Sequence, residues 1–91
     1  MYTQDAITIG QIAAVVRGAT TPTASFTLRY NTNRTGSVTD VVTGGTTISS
    51  STVAQTITTF NNGTIPADNW VWVVVNSVSG AVSELAISIE T

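Results

Sequence analysis

Residues 69–75 read Asn69-Trp70-Val71-Trp72-Val73-Val74-Val75, the most apolar run of the chain. Successive side chains of an extended strand point to opposite faces. Trp70, Trp72 and Val74 therefore share one face, and Val71, Val73 and Val75 share the other. Both faces are apolar, whereas a strand in a half-solvated antiparallel sheet alternates apolar with polar. One face is expected to meet the core. The other is expected to meet a partner subunit or a loop folded over the sheet, and the sequence leaves open which face is which. The two tryptophans stand ~7 Å apart along such a strand. Core packing is the commoner role of strand tryptophans; a stacking platform for sugars is the other.

The same period of two recurs outward from this run. Upstream, Asn61-Asn62-Gly63 is a strong turn signal, because Asn-Gly accepts positive φ at little cost. Before it, residues 53–60 read as a strand with Ile57 inward. Residues 46–52 are Thr/Ser-rich, an edge strand or a loop, and residues 38–43 read as a strand ended by Gly44-Gly45. Residues 31–37 form a polar loop. Residues 23–31 set Phe26, Leu28 and Tyr30 on one face and Thr27 and Arg29 on the other. Thr20-Thr21-Pro22 is a turn, since proline interrupts a strand ladder. Residues 11–18 are an apolar strand closed by Gly18, and Ile7 and Ile9 flank Thr8 in a short strand ending at Gly10. Downstream, residues 77–80 are expected to turn. The final strand, 82–90, has Leu85, Ile87 and Ile89 inward and Glu84, Ser88 and Glu90 outward. No stretch shows a helical period. The expectation is an all-β chain: one antiparallel β-sandwich domain spanning residues 1–91, jelly-roll-like, with seven to eight short strands.

Composition narrows the function. Only 9% of the 91 residues are charged, against a typical ~25%. The basic residues are Arg17, Arg29 and Arg34, there is no lysine, and the net charge is -2. Phosphate binding needs clustered Lys and Arg, so no nucleic-acid partner is expected. A free monomer normally relies on surface charge for solubility. Here Thr, Ser and Asn take that role, or other subunits cover much of the surface. Cysteine and histidine are absent, which excludes disulfides, zinc-finger-type sites and a Cys/His nucleophile pair. So small a domain has a thin core, and oligomerisation is one remaining source of stability. No run approaches the ~18 apolar residues of a membrane span. Met1-Tyr2-Thr3-Gln4-Asp5 lacks the basic region and apolar run of a signal peptide, so none is expected.

Catalysis has little to draw on. Glu84 and Glu90 share a strand face roughly 20 Å apart, whereas glycosidase carboxylates sit ~5–9.5 Å apart. Asp5, Asp40 and Asp68 lie near strand ends or turns, without the D-x-D-x-D-G spacing of a calcium loop. A Ser or Thr nucleophile needs an activating base, and His and Lys are both missing. No enzyme activity, metal or cofactor is expected. Arg17 and Arg29 are expected to pair with acids inside the domain or across an interface. Asn33-Arg34-Thr35 and Asn62-Gly63-Thr64 match the glycosylation sequon, a chance match in so Thr-rich a chain.

Two stretches carry a resemblance. Thr64-Ile65-Pro66-Ala67-Asp68-Asn69-Trp70-Val71-Trp72-Val73, followed by Ser79-Gly80-Ala81-Val82-Ser83-Glu84-Leu85-Ala86-Ile87-Ser88-Ile89, resembles small β-sandwich structural proteins of tailed bacteriophages. Phe26-Thr27-Leu28-Arg29-Tyr30 with Asn33-Arg34-Thr35-Gly36 is similar to the same group. The resemblance implies a virion protein made in the host cytoplasm. Its role would be a capsid decoration (cement) protein binding across subunits of the major capsid protein, or a head- or tail-fibre tip or carbohydrate-binding module for host attachment. A homotrimer is the expected oligomer. Trp70, Trp72 and the Val71, Val73 and Val75 face are the expected core and subunit contacts. The terminal segments, with Tyr2, Ile7 and Ile9 at one end and residues 87–91 at the other, are expected to engage the shell.

Overall fold

The computed structural model describes residues 1–49 and 53–91. The last part of the 46–52 segment therefore lies outside the described residues. The chain is an all-β antiparallel sandwich. Its strands are β1 (Tyr2–Thr3), β2 (Ile7–Thr8), β3 (Gln11–Gly18), β4 (Thr23–Asn31), β5 (Thr39–Asp40), β6 (Thr46–Ser49), β7 (Gln55–Ile57), β8 (Thr64–Ile65), β9 (Asn69–Ser79) and β10 (Val82–Glu90). One sheet runs β1-β9-β4-β5, with β6 also on β4; the second runs β10-β3-β7; β2 and β8 form a separate pair.

The fold is a ribbon bent over on itself. β3 pairs with β10 from Gly18↔Val82 to Gln11↔Glu90. β4 pairs with β9 from Thr23↔Ser79 to Asn31↔Trp70. Both strands of the first pair lead into the second across one corner, which is the wrap of a jelly-roll-like sandwich. The corner needs unusual backbone. Thr21, Gly80 and Ala81 take φ of 41°, 79° and 53°, and Thr20 N–H donates to Gly80 O at 3.2 Å. A Cβ on Gly80 would run into the carbonyl oxygens of Thr20 and Thr21. Gly80→Ala is therefore expected to lower stability by more than about 1 kcal/mol, seen as a lower urea midpoint at unchanged slope.

The core forms where alternation brings the two sheets together. Ile12, Ala14 and Val16 of β3 and Ala24, Phe26 and Leu28 of β4 are buried, joined by Ile9, Val41, Ile48, Ile65 and Val71. Several expected strands are shorter than their apolar runs. Residues 38–43 contribute only β5. Val41 instead is fully buried, and its carbonyl accepts from the N–H groups of Asn61 and Asn62 at 2.9 and 3.1 Å. Residues 53–60 contribute only β7, with Ile57 packed on the core. The expected turn at 77–80 is strand as far as Ser79, because a bulge absorbs one residue. The pairing shifts between Phe26↔Val75 and Ser25↔Ser77, which puts Val78 opposite buried Ala24. Two-residue strands such as β1 and β8 bring the described total to ten rather than seven or eight.

Candidate functional site

The register assigns the faces of β9. Val71, Val73 and Val75 stand opposite Tyr30, Leu28 and Phe26, so the valine face is the core side. The tryptophans are not core residues. Trp70 and Trp72 lie on the outer face of the large sheet, where Trp70 is 46% exposed and Trp72 is half-buried.

Two cross-strand rows organise this outer face. Tyr2, Trp70 and Asn31 form the first, across β1, β9 and β4. Trp72, Arg29 and Asp40 form the second, across β9, β4 and β5. Tyr2 meets Trp70 edge-on, with ring centroids 4.8 Å apart, and its hydroxyl donates to Asp68 at 3.1 Å. β1 holds Tyr2 there because Thr3 is tied down beside it. The Thr3 hydroxyl donates to Pro66 O at 2.9 Å and accepts from Asn69 N–H at 3.1 Å. Arg29 Nε donates to Asp40 at 2.8 Å, the one ion pair among the described residues. Arg34 places its guanidinium 5.5 Å from the Trp72 ring centre. A short turn positions it: Asn33 Oδ1 accepts from the N–H and hydroxyl of Thr35 and the N–H of Gly36. The Asn33–Thr35 spacing that mimics a sequon thus has a local structural role.

Desolvation against its neighbours, together with the hydrogen bond to Asp68 and that carboxylate's charge, pushes the Tyr2 phenol above its ordinary value. A group whose pKa rises on folding stabilises the fold fully below its unfolded value, near ~10, and loses that contribution as pH climbs through the raised value. Asp68→Asn is expected to lower the apparent pKa of one tyrosine, so that it ionises at lower pH, read by ultraviolet absorbance titration.

The inner face of β9 holds a second feature. Along the core side exposure climbs from Val71 at 4% to Val73 at 37%, Val75 at 52% and Val78 at 55%. The facing sheet stops short there. Its edge strand is β10, whose Leu85, Ile87 and Ile89 are only half-buried. β1 pairs with β9 only at Asn69 and Trp70, and Met1 O accepts from Val71 N–H at 2.7 Å. Beyond that point the edge of β9 has no strand partner among the described residues, and β10 pairs with β3 alone. The sandwich is therefore open along the β9–β10 flank, between two unpaired strand edges.

The expected contact residues fall into separate places. Tyr2, Trp70 and Trp72 converge on the outer face; Val73 and Val75 lie on the open flank. Ile7 is half-buried on β2. Ile9 and Val71 are buried inside the domain at 3% and 4% exposure, so they support the core and offer a partner no surface. The sequence reading passed over Arg34, Asn31 and Asp68 as parts of this face. The Asn33-x-Thr35-Gly36 turn signal and the Asn31–Trp70 register are what mark them. Arg17 and Glu84 are register partners yet form no ion pair, and no group of three or more His, Cys, Asp or Glu among the described residues could hold a metal. Among the described residues no helix is long and apolar enough to cross a membrane. Comparison of the chain with protein-family models, curated proteins and solved structures gives no match.

Proposed function

We propose that this chain is a non-catalytic structural subunit that acts by associating with further protein surfaces, in the setting of a phage virion. The favoured role is a capsid decoration protein that binds across capsid subunits and raises the free energy needed to open the shell. The observation that carries the associating role is the valine row of β9, which turns from buried to half-exposed along one side of the sandwich. Uncharged apolar surface beside unpaired strand edges is a surface that native proteins normally cover. The flank supplies both requirements of a protein contact, apolar area and free backbone donors and acceptors. The virion setting rests on the resemblance in residues 64–73 and 79–89, which here fall on β8, β9 and β10.

Native mass spectrometry of the purified protein tests the first part, with a trimer as the expected species. Heating or chelating particles with and without the protein tests the second, with earlier rupture expected in its absence. A monomer at micromolar concentration that leaves particle integrity unchanged overturns the proposal. The second reading is a fibre tip or carbohydrate-binding module for host attachment, and the exposed Trp70 on the opposite face is what favours it.

A further inference from the structure

We propose that the outer face of β9, with its neighbours β1 and β4, binds a neutral oligosaccharide. This rests on the second reading above and names its ligand class, on a face separate from the open flank.

Three properties of the face select the ligand. The first is rigid aromatic surface. Trp70 and Tyr2 are 46% and 43% exposed, although both are held in place. Tyr2 buttresses Trp70 edge-on at 4.8 Å and is anchored by its bond to Asp68. Ordering a ligand against a ring already fixed forfeits little side-chain entropy. The C–H face of a pyranose with equatorial hydroxyls is a flat apolar surface that fits such a ring.

The second is spacing. Trp70 and Trp72 share the face two residues apart, ~7 Å at strand rise. Trp70 offers the stacking platform, and Trp72, whose ring already carries the Arg34 guanidinium 5.5 Å from its centre, presents guanidinium donors to a second ring of a chain lying along β9, so the ligand is an oligosaccharide rather than a single sugar. The third is charge. The guanidiniums of Arg29 and Arg34 balance the carboxylates of Asp40 and Asp68. A matched face has no pull on a polyanion, which needs clustered positive charge, and none on a cationic segment. Its remaining chemistry is the hydroxyl-binding kind. Carboxylates accept from hydroxyls, guanidiniums donate in pairs, and the Asn31 amide does both.

The test uses a glycan array of neutral and sialylated oligosaccharides, followed by titration of intrinsic tryptophan fluorescence with the strongest neutral hit. Binding to neutral glycans is expected, weakened at least about tenfold by Trp70→Ala and by Trp72→Ala. A far-ultraviolet circular dichroism spectrum checks that each variant is folded, and Tyr2→Ala serves as a third probe if Trp72→Ala is not. Glu84→Gln, exposed on β10 of the other sheet, is expected to leave binding unchanged. The proposal is overturned by no glycan binding, by binding to sialylated glycans alone, or by binding that survives all the folded aromatic variants. It is equally overturned if Trp70→Ala changes the oligomeric mass without changing glycan binding, because the face is then a protein contact.

Discussion

Val75→Lys is expected to leave the domain folded and to weaken self-association by at least about a hundredfold. Val75 is 52% exposed, so a lysine there extends into water in the isolated chain and disturbs the core little. In an assembled state that covers the β9–β10 flank, the same ammonium would be buried without an acid beside it. Such a charge costs several kcal/mol, and lysine on an edge is one of the devices by which natural sheets refuse edge-to-edge pairing. The chain contains no lysine to do this already. The measurement is sedimentation velocity across a concentration series, paired with a thermal melt at a concentration where both proteins are monomeric. Val75→Ala on the same position removes apolar area without adding charge, and a much smaller change is expected. Unaltered association in the lysine variant would mean that the flank is not the contact.

The largest effect on stability is expected from Phe26→Ala. Phe26 is 2% exposed and belongs to the largest fully buried side chains. It sits mid-strand in β4 with Thr46 of β6 on one side and Val75 of β9 on the other. Truncating such a side chain removes about 3–5 kcal/mol, the transfer free energy of the ring plus the cavity left behind. A chain of this size has a total stability of roughly 5–14 kcal/mol, so the variant is expected to lose a large part of it. Equilibrium urea unfolding measures this, against Trp70→Ala as a control. The contrast is diagnostic: although tryptophan is the larger side chain, its removal from the outer face is expected to cost far less than that of Phe26. Equal losses would contradict the face assignment of β9.

Fold class and the long strands were legible because β4 and β10 alternate cleanly, and alternation reports a face buried against another layer. Phe26 and Leu28, or Leu85, Ile87 and Ile89, need no knowledge of their partners to be placed inward, whereas β3, apolar on both faces, is oriented only by the sheet it packs against. Where the sequence fell short, the deciding information was non-local. The β9 run is apolar on both faces, so its own pattern cannot orient it; Tyr30, Leu28 and Phe26 across the ladder do so. The bulge at Asn76 keeps Val78 on the core side and extends the strand past an apparent turn. Asn76 Nδ2 donates to the Thr27 hydroxyl at 2.8 Å, a tie between residues far apart in the chain. β1 and β8 are too short to show a period at all. In the candidate site, tryptophan and tyrosine were marked by type, but the exposure of Trp70 and the placement of Arg34 over Trp72 arise only once the loop between β4 and β5 folds back. Val71 was expected at core or subunit contacts as part of the two-faced run, and Ile9 at the shell as part of the terminal segment; depth, which sequence does not encode locally, puts both inside.

The shared corner at Thr21 and Gly80 has a consequence for how the molecule opens. Since the β3·β10 and β4·β9 pairs continue into one another through it, neither half can detach while the other keeps its register. Amide hydrogens in the middles of all four strands should therefore become accessible to solvent deuterons in a single concerted event, with a common opening free energy rather than a graded series. The two-residue ladders of β1 and β2 stand outside that unit and should exchange earlier, loosening the support beneath Tyr2 while the sandwich itself stays closed.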